Sequence, residues 1–335
     1  MNEPTAKPVH HRRTLLTAAL SAATGLSAGG VATASAATSP GPRATESVKI
    51  LGRDVDVTRA TPGVVRILKS YFEAKTAADV DATMAHFSRR MTYIDATLGW
   101  SWYNWQKLHD LFASLMPNWP ETAASYPTRI LGNADSALVF FADTPELFGH
   151  EIRPIGAVSF ERGKIVRWVD YWDGRAFTMA GISEARTPAD EFPTDFGEKM
   201  VGERAPRAIR SAARALSAAL AAGDVREALS LFHPDALVED LALHTTIEGR
   251  HSIDSFLRSA LPLLPYGLGV VVRHVSGSTR GGGFEWINPT SRVPRGITAL
   301  ELDDAGLVTR MTSAWDSSLW SDKAIGEAHS ATILQ

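Results

Sequence analysis

Apolar residues recur at helical spacing in the first half of the chain. Thr61-Pro62 predicts the start of a helix, because threonine caps helix N-termini and proline fits the first helical position. The helix is predicted to run to about Lys75, with a buried stripe made of Val65, Leu68, Tyr71 and Phe72. A short second helix is predicted over residues 80–87, and a third over residues 103–115.

Strand-like runs accompany and follow these helices. A short strand is predicted at residues 92–96, and four longer ones at about 129–133, 137–143, 152–161 and 165–172. Glu161-Arg162-Gly163-Lys164 predicts a hairpin turn between the last two. Helices followed by a curved antiparallel sheet are typical of the α+β fold class.

The same order of elements returns in the second half. Helices are predicted over about 206–222, 225–232 and 250–261, and strands over about 269–276, 283–288, 295–302 and 307–314. Asp303-Asp304-Ala305-Gly306 predicts the matching hairpin turn. Gly281-Gly282-Gly283 lacks the strand-to-helix context of a phosphate-binding loop and is predicted to be a flexible hairpin.

Individual residues recur at a constant distance between the two halves. Four features reappear 145 residues later: Ala78-Asp79-Val80 as Gly223-Asp224-Val225, Phe87 as Phe232, Asp95 as Asp240, and Pro117 as Pro262. Trp172-Asp173 recurs as Trp315-Asp316 at a distance of 143 residues. This repetition predicts two homologous tandem modules, at residues 60–182 and 206–322.

The segments outside the modules differ from them in composition. Residues 183–205 are rich in Glu, Asp, Pro and Arg and lack apolar periodicity, so they are predicted to form a solvated linker. Residues 37–59 are predicted to be a flexible start of the mature chain, and residues 323–335 a tail.

The N-terminus carries an export pattern. Arg12-Arg13 stands directly before a weakly apolar run, and the run ends at Ala34-Ser35-Ala36, a small-residue cleavage pattern. Residues 1–36 are therefore predicted to be a twin-arginine signal peptide, and the mature protein is predicted to be secreted. The run has too many Gly, Ser and Thr residues for a membrane span, so no membrane association is expected after cleavage.

Composition narrows the classes of partner. The chain has 335 residues, of which 44% are hydrophobic and 21% charged, and its formal net charge is -3. This balance disfavours nucleic acid and favours a hydrophobic small molecule as the partner. Cysteine is absent, which excludes disulfides and thiolate nucleophiles. The ten histidines are scattered, and neither a metal site nor a cofactor is expected.

Several motifs resemble the nuclear-transport-factor-2-like superfamily, more narrowly its SnoaL-like and ketosteroid-isomerase-like branch. They cover both modules and are Ala222-Gly223-Asp224-Val225, the run from Leu231 to Asp240, Ile247-Glu248-Gly249-Arg250, Trp172-Asp173 and Trp315-Asp316. The resemblance implies that each module is a cone with a deep apolar pocket between helices and sheet. It also implies a range of roles, from isomerases, cyclases, dehydratases and epoxide hydrolases to non-enzymatic binding.

The ketosteroid isomerases of this branch imply site residues. Their phenolic donor precedes the carboxylate base by 24 residues, and Tyr71 and Asp95 have that spacing. In the second module Asp240 holds the base position, but the donor position is Leu216, which cannot donate a hydrogen bond. The isomerases also use a protonated acid on the third long strand. The aligned residues here are Gly156 and Thr298, so steroid isomerisation itself is not expected.

The chemistry of Tyr71 and Asp95 can be stated without the resemblance. Burial in an apolar pocket raises the pKa of a carboxylate, which can then act as a base, while a phenol donates to a developing oxyanion. The alternative is that Tyr71 is a core aromatic and Asp95 caps a turn. In the second module Glu239 and Asp240 alternate in direction, and either could be the solvated one.

Further candidates form an aromatic cluster and a set of polar residues. The cluster is expected either to grip a flat hydrophobic ligand or to pack in the core, and comprises Trp100, Trp102, Tyr103 and Trp105. Possible second acids, which could equally be solvated strand ends, are Asp143, His150 and Asp170. His244 could replace the missing donor beside Asp240 or be simply exposed. Trp172 and Trp315 are expected to be core residues.

Two classes of function follow. The first is a cofactor-independent enzyme that uses acid–base chemistry on a polyketide-like or terpenoid-like metabolite, as an isomerase, a cyclase or an epoxide-type hydrolase. The second is a secreted module that binds a lipophilic compound without changing it. A further expectation is that the two modules form an intramolecular pseudo-dimer, so that the chain would be monomeric.

Overall fold

Two sheets, one of eight strands and one of six, organise the protein, whose structure is a computed structural model that describes residues 45–333. Helices pack on each sheet to enclose a separate apolar core, which confirms the predicted α+β fold class. The predicted signal peptide at residues 1–36 lies outside the described residues and stays a prediction.

Within its described residues, from 45 onward, the first half contains the eight-stranded sheet and four α-helices. Its strands are β1 (Ser47–Ile50), β2 (Arg53–Ala60), β3 (Phe87–Asp95), β4 (Trp100–Trp102), β5 (Ser125–Gly132), β6 (Ser136–Asp143), β7 (Ile155–Glu161) and β8 (Lys164–Tyr171). Its helices are α1 (Pro62–Thr76), α2 (Val80–Ala85), α3 (Trp105–Leu115) and α4 (Pro145–Phe148). The strand order across the sheet is β1-β2-β5-β6-β7-β8-β3-β4.

The second half repeats this arrangement. Two short helices precede it, α5 (Met179–Ala185) and α6 (Glu198–Val201). Its helices are α7 (Arg207–Ala222), α8 (Val225–Ser230), α9 (Arg250–Ala260) and α10 (Asp322–Ile333). Its strands are β9 (Phe232–Asp240), β10 (Thr245–Glu248), β11 (Val271–Gly277), β12 (Gly281–Ile287), β13 (Arg295–Leu302) and β14 (Val308–Trp315). The order β10-β9-β14-β13-β12-β11 matches β4-β3-β8-β7-β6-β5 of the first sheet.

Local sequence signals explain these matching elements. Asp79 and Asp224 cap α2 and α8 by accepting from the backbone N–H three residues later, at 2.9 Å and 3.0 Å. The predicted turn between β7 and β8 has left-handed backbone at Arg162 and Gly163, with φ of 51° and 73°. The pair β3–β8 in the first half and the pair β9–β14 in the second are both parallel. This arrangement brings the end of β3 beside the end of β8, and the end of β9 beside the end of β14.

Three segments outside the modules differ from the predictions. Residues 37–59 were expected to be flexible, but 47–60 form the β1–β2 hairpin, and β2 extends the first sheet alongside β5. Apolar and polar residues alternate in this hairpin, so that Ile50, Val55 and Val57 point inward and are buried. The predicted tail instead forms α10, whose Ala328 is fully buried against α9.

The predicted solvated linker is also packed. Phe196 is fully buried, and the Arg273 guanidinium lies 3.6 Å from the centre of its ring. Arg295 lies equally close to the ring of Phe192. Composition suggested solvent exposure, but two aromatic residues anchor the segment between the modules.

The two sheets pack against each other. Their contact contains an apolar cluster with members from both halves, including Leu138, Ala157 and Ala299. Gly281-Gly282-Gly283 is not a flexible hairpin, since it forms the start of β12 at this contact. A Cβ atom on Gly283 would lie 2.8 Å from the Leu138 side chain, and one on Gly281 would lie 2.4 Å from the Arg59 Cβ. Glycine is needed where the backbones approach this closely.

Candidate functional site

A cavity of about 270 Å³ opens inside the first module, between the sheet and α3 and α5. Most of its wall is apolar and aromatic. Residues of this kind that line it include Trp100, Trp102, Phe112, Phe141, Trp172 and Phe177. Its ionisable and hydroxyl-bearing lining residues include Lys75, Tyr93, Asp95, Asp143, His150 and Asp170. A mostly apolar wall with a few converging polar groups is the usual form of a small-molecule site.

Asp95 is the last residue of β3 and reaches this cavity. One carboxylate oxygen accepts from the backbone N–H groups of Thr97 and Leu98, at 3.0 Å and 2.8 Å. The other accepts from the indole N–H of Trp172 at 3.0 Å. Burial raises the pKa of Asp95 to about 6, although these hydrogen bonds partly oppose the shift. The carboxylate is therefore held rigidly and has the basicity of a general base.

Asp170 lies directly opposite Asp95 on the parallel strand β8. It accepts from the hydroxyl of Tyr93 at 2.7 Å and from the indole N–H of Trp168 at 2.5 Å. Burial raises its pKa to about 7, and the charge of Asp95 adds to the shift. Because strand partners share a face, the two carboxyl groups converge in one cavity, and near neutral pH the pair readily holds a proton.

Gly156 explains how Asp170 fits. It pairs with Asp170 across β7 and β8, and a Cβ atom there would lie 3.0 Å from a carboxylate oxygen of Asp170. The resemblance places an acid at Gly156, and this chain has none there. The neighbouring strand instead brings the Asp170 carboxyl into the space above the glycine.

A buried ion pair lies on another side of the cavity. The ammonium of Lys75 is 3.1 Å from the carboxylate of Asp143, and both side chains are almost fully buried. Lys75 ends the apolar face of α1, and Asp143 ends β6. The cavity therefore offers a neutralised pair of charges in addition to the two aspartates.

Tyr71 does not take the position expected of the phenolic donor. Its ring packs 5.0 Å from the Trp168 ring and 5.1 Å from the Phe72 ring, within the core. It is absent from the described lining of the cavity. The phenol that contacts a cavity carboxyl is Tyr93, which lies two residues before Asp95 and so points to the same face of β3.

The predicted aromatic cluster divides between the cavity and other surroundings. Trp100 and Trp102 line the cavity. Tyr103 is 49% exposed, and its hydroxyl donates to the backbone carbonyl of Asp195. Trp105 stacks on His109 and donates to the carbonyl of Met84, so it packs α3 against α2. His150 lies at the exposed rim of the cavity, beside Phe177.

Asp240 in the second module is enclosed by hydrogen-bond donors. Two backbone N–H groups and the Trp315 indole bind it as their counterparts bind Asp95, and the hydroxyl of Tyr266 donates to it at 2.9 Å. The Tyr266 hydroxyl thus covers the side of Asp240 that corresponds to the cavity-facing side of Asp95. Both Trp315 and Trp172 are buried, as expected of core residues.

Neither other candidate of the second module lies beside Asp240 as a donor. His244 is exposed in the turn between β9 and β10, with φ of 51°. Glu239 was expected to be a possible solvated acid. It instead binds Arg310 and Thr312 of its own module at 2.8 Å and 2.7 Å, and lies 3.6 Å from the guanidinium of Arg129 in the first module.

Sequence reasoning missed several residues of the cavity. Lys75 interrupts an otherwise apolar helix face, which is a signal for a buried charge with a partner. Tyr93 could have been found from its alternation with Asp95. No sequence signal indicated that α5 lines the cavity. This helix follows the Trp172-Asp173 motif that ends the predicted strands, and it reaches the cavity only because the chain turns back toward the sheet.

Among residues 45–333, no group of three or more His, Asp and Glu side chains is placed to hold a metal ion. Within the same residues, no helix combines the length and apolarity needed to cross a membrane.

Comparison with known proteins gives structural neighbours only. No protein-family model matches the chain, and no curated protein matches it. An NTF2-like protein of unknown function from Burkholderia xenovorans LB400 is 25% identical, covering 34% of this chain and 94% of its own at a TM-score of 0.28. A steroid delta-isomerase from Pseudomonas aeruginosa is 17% identical, covering 39% and 96% at a TM-score of 0.32.

A third solved structure is similar over about the same share of this chain. An NTF2-like protein of unknown function from Cytophaga hutchinsonii ATCC 33406 is 11% identical and covers 32% of this chain and 88% of its own, at a TM-score of 0.28. Each of these proteins spans about a third of the chain. The chain is similar to NTF2-like and ketosteroid-isomerase-like proteins, and the similarity is one of α+β fold.

Proposed function

We propose that the chain is an exported, cofactor-independent acid–base enzyme whose site is the cavity of the first module. The observation that supports this proposal is the pairing of Asp95 with Asp170 across β3 and β8, in one apolar cavity. Their pKa values of about 6 and about 7 allow one to be a base while the other is still an acid.

Isomerisation of a carbonyl compound is the reaction that this arrangement supports best. Asp95 removes a proton from the carbon next to the carbonyl group, and its backbone and indole donors hold it in place. Protonated Asp170, which the hydrogen bond from the Tyr93 hydroxyl holds in place, donates to the oxygen that becomes negatively charged. Burial raises the pKa of Tyr93 well above 10, so its phenol keeps the proton that it donates. Asp95 then returns its proton to another carbon of the substrate. In a cyclisation, the enolate carbon instead attacks a second carbonyl group of the substrate, the C=O π bond of that group breaks, and its oxygen takes the proton from Asp95.

Ring opening is the second reaction that the same residues permit. Asp170 would donate its proton to the oxygen of an epoxide, while Asp95 would activate water. The cavity of about 270 Å³ lies near the lower end of ligand pockets. It therefore favours a compact polyketide-like or terpenoid-like substrate over a large polycyclic one. The second module, whose Asp240 is enclosed, would act as the packing partner in an intramolecular pseudo-dimer, and the chain would be monomeric.

The test uses residues 37–335 and an extracellular extract of the producing organism, incubated in deuterated water. An isomerase or cyclase produces an isomer of changed retention, which carries deuterium at carbon if the proton on Asp95 exchanges with water before it returns, whereas a hydrolase adds one deuterated water. Asp95→Asn should abolish either change, because the amide cannot accept the proton.

Asp240→Asn is the matched control, since Asp240 has the same backbone and indole donors but lies outside the cavity. It should retain turnover. If a lipophilic compound co-purifies unchanged with both the parent chain and Asp95→Asn, and no deuterium is incorporated, the enzyme proposal fails. The protein would then be a secreted binding module.

A further inference from the structure

A second cavity, of about 230 Å³, lies in the crevice between the two modules. Its wall comes from three parts of the chain. The first module contributes Thr97 and Trp172, the connecting segment contributes Arg186 and Phe192, and the second module contributes Arg295 and Trp315. The crevice exists only because the two modules and the connecting segment pack together.

The charges around this cavity are unbalanced. Asp316 is the one carboxylate among the described residues that line it, and it is bound by Arg186. Two further arginines, Arg292 and Arg295, also line the cavity. Within residues 45–333, no carboxylate lies within 4.0 Å of the Arg295 side chain to form an ion pair. The cavity therefore carries excess positive charge.

Arg295 is the better placed of these two arginines. Arg292 is exposed, whereas Arg295 is partly buried, with its guanidinium 3.6 Å from the centre of the Phe192 ring. Burial, together with the nearby charges of Arg273 and Arg186, lowers the pKa of Arg295 to about 10, while Tyr171 and Asp316 oppose the shift. The group stays charged at neutral pH. Burial removes part of the water that would hydrate the guanidinium, and no carboxylate among the described residues contacts it to replace that water. Such a guanidinium is well suited to bind a carboxylate through two parallel hydrogen bonds.

The apolar residues of the wall determine which organic group can carry the bound carboxylate. Phe192, Trp315, Pro294 and Leu319 present apolar surface beside Arg295. The volume is below that of pockets for drug-sized ligands, about 300–1,000 Å³. We infer that the crevice is a binding site for a small organic monocarboxylate with an apolar or aromatic body, anchored by Arg295. This inference does not depend on the chemistry of the first cavity.

Calorimetric titration of the purified chain with benzoate, and separately with benzyl alcohol, tests the inference. Benzoate should bind, and benzyl alcohol, which matches its ring but lacks the charge, should bind at least about tenfold more weakly, because a charge-assisted hydrogen bond is lost. This comparison needs no variant, so it is valid even if a substitution at Arg295 impairs folding. Equal binding of the two compounds, or no binding of benzoate at millimolar concentrations, would overturn the site.

Variants then locate the bound anion. Arg295→Met, which keeps an unbranched apolar side chain and removes the charge, should weaken benzoate binding about tenfold or more. Arg295→Lys should weaken it less, since the charge remains while the planar fork is lost. The matched control is Arg258→Met, which removes an exposed arginine of α9 and should leave binding unchanged. Unchanged binding in Arg295→Met would place the anion elsewhere and refute the assignment.

Discussion

At the scale of single residues, the protein places two carboxyl groups where water cannot solvate both. Asp95 and Asp170 are strand partners, and each has a raised pKa. Two groups coupled in this way titrate as a pair, so the pKa values of about 6 and about 7 describe successive losses of a proton from the site.

A pH profile of activity tests this assignment. The rate should rise with pH as Asp95 loses its proton near pH 6, and fall as Asp170 loses its proton near pH 7. The dependence of kcat/KM on pH should therefore be a narrow bell. Asp170→Asn should lose the fall on the alkaline side, because asparagine does not titrate. A profile that stays flat between pH 5 and pH 8 would show that these groups do not carry the reaction.

Asp170 should also make stability depend on pH. Its carboxyl keeps a proton up to about pH 7 in the folded protein, against an ordinary value of 3.8, so the folded state binds more protons between these limits. The free energy of unfolding should therefore fall as the pH rises from about 4 through 7, by up to about 4 kcal/mol from this group. Asp170→Asn should flatten the fall in urea titrations at several pH values. Asp190→Asn, at an exposed site, should not change the pH dependence.

At the scale of elements, the start of β12 lies unusually close to the backbone of β13. Gly283 stands where a Cβ atom would meet the carbonyl oxygen of Thr298 at 2.2 Å. At Gly283, β12 can therefore lie this close to β13 and to Leu138 of the first sheet only because the residue has no side chain. Sequence inspection assigned the same glycines to a flexible hairpin, because three glycines in a row usually mark a turn.

Substitution of Gly283 should be costly. Gly283→Ala should lower the free energy of unfolding by about 1–3 kcal/mol, because the added methyl group overpacks a tight contact. Gly326→Ala is the matched control in α10, where an added Cβ meets open space. It should raise the stability by about 0.5–1 kcal/mol, since alanine favours a helix. Equal effects of the two changes in denaturant titrations would contradict the close approach of the sheets.

At the scale of the whole molecule, a buried polar group joins the modules. Arg167 binds both carboxylate oxygens of Glu285 at 2.7 Å and 2.8 Å, and Tyr171 donates to the same carboxylate. Both charged side chains are almost fully buried between the sheets. Such a pair is expensive to break from one side, because the remaining charge is left without a partner.

Arg167→Met should lower the free energy of unfolding by about 3–5 kcal/mol, because it leaves Glu285 buried and unpaired. Adding Glu285→Leu should recover much of this loss by removing the stranded charge. Chemical unfolding of the two single variants and the double variant gives the coupling energy. Additive effects would mean that the two side chains do not interact in the folded protein.

The sequence allowed more of the fold than of the site to be predicted. Helical and strand periodicity located α1, α7, β5 to β8 and β11 to β14 to within a few residues, since burial on one face leaves a regular pattern. The strands β2 and β9 were not predicted. The spacing of Asp95 from Tyr71 pointed to a carboxylate that lines the cavity and to a phenol that does not. Tyr93 and Tyr71 both belong to aromatic stripes, and only the packing of α1 on the sheet decides which hydroxyl reaches the cavity. The partner of Asp95 depends on a parallel strand pair 75 residues apart, which no local pattern reveals.

The contact between the sheets also bears on how this protein can evolve. In a symmetric homodimer one gene encodes both faces, so every substitution at the contact appears twice and must suit both copies. Here Arg167 faces Glu285 of the other half, whereas Arg310, 143 positions later, binds Glu239 of its own half. The two faces are separate stretches of one gene and can be mutated one at a time. A residue such as Tyr266, whose hydroxyl covers Asp240, therefore imposes no matching change on the first module, where Asp95 lines an open cavity.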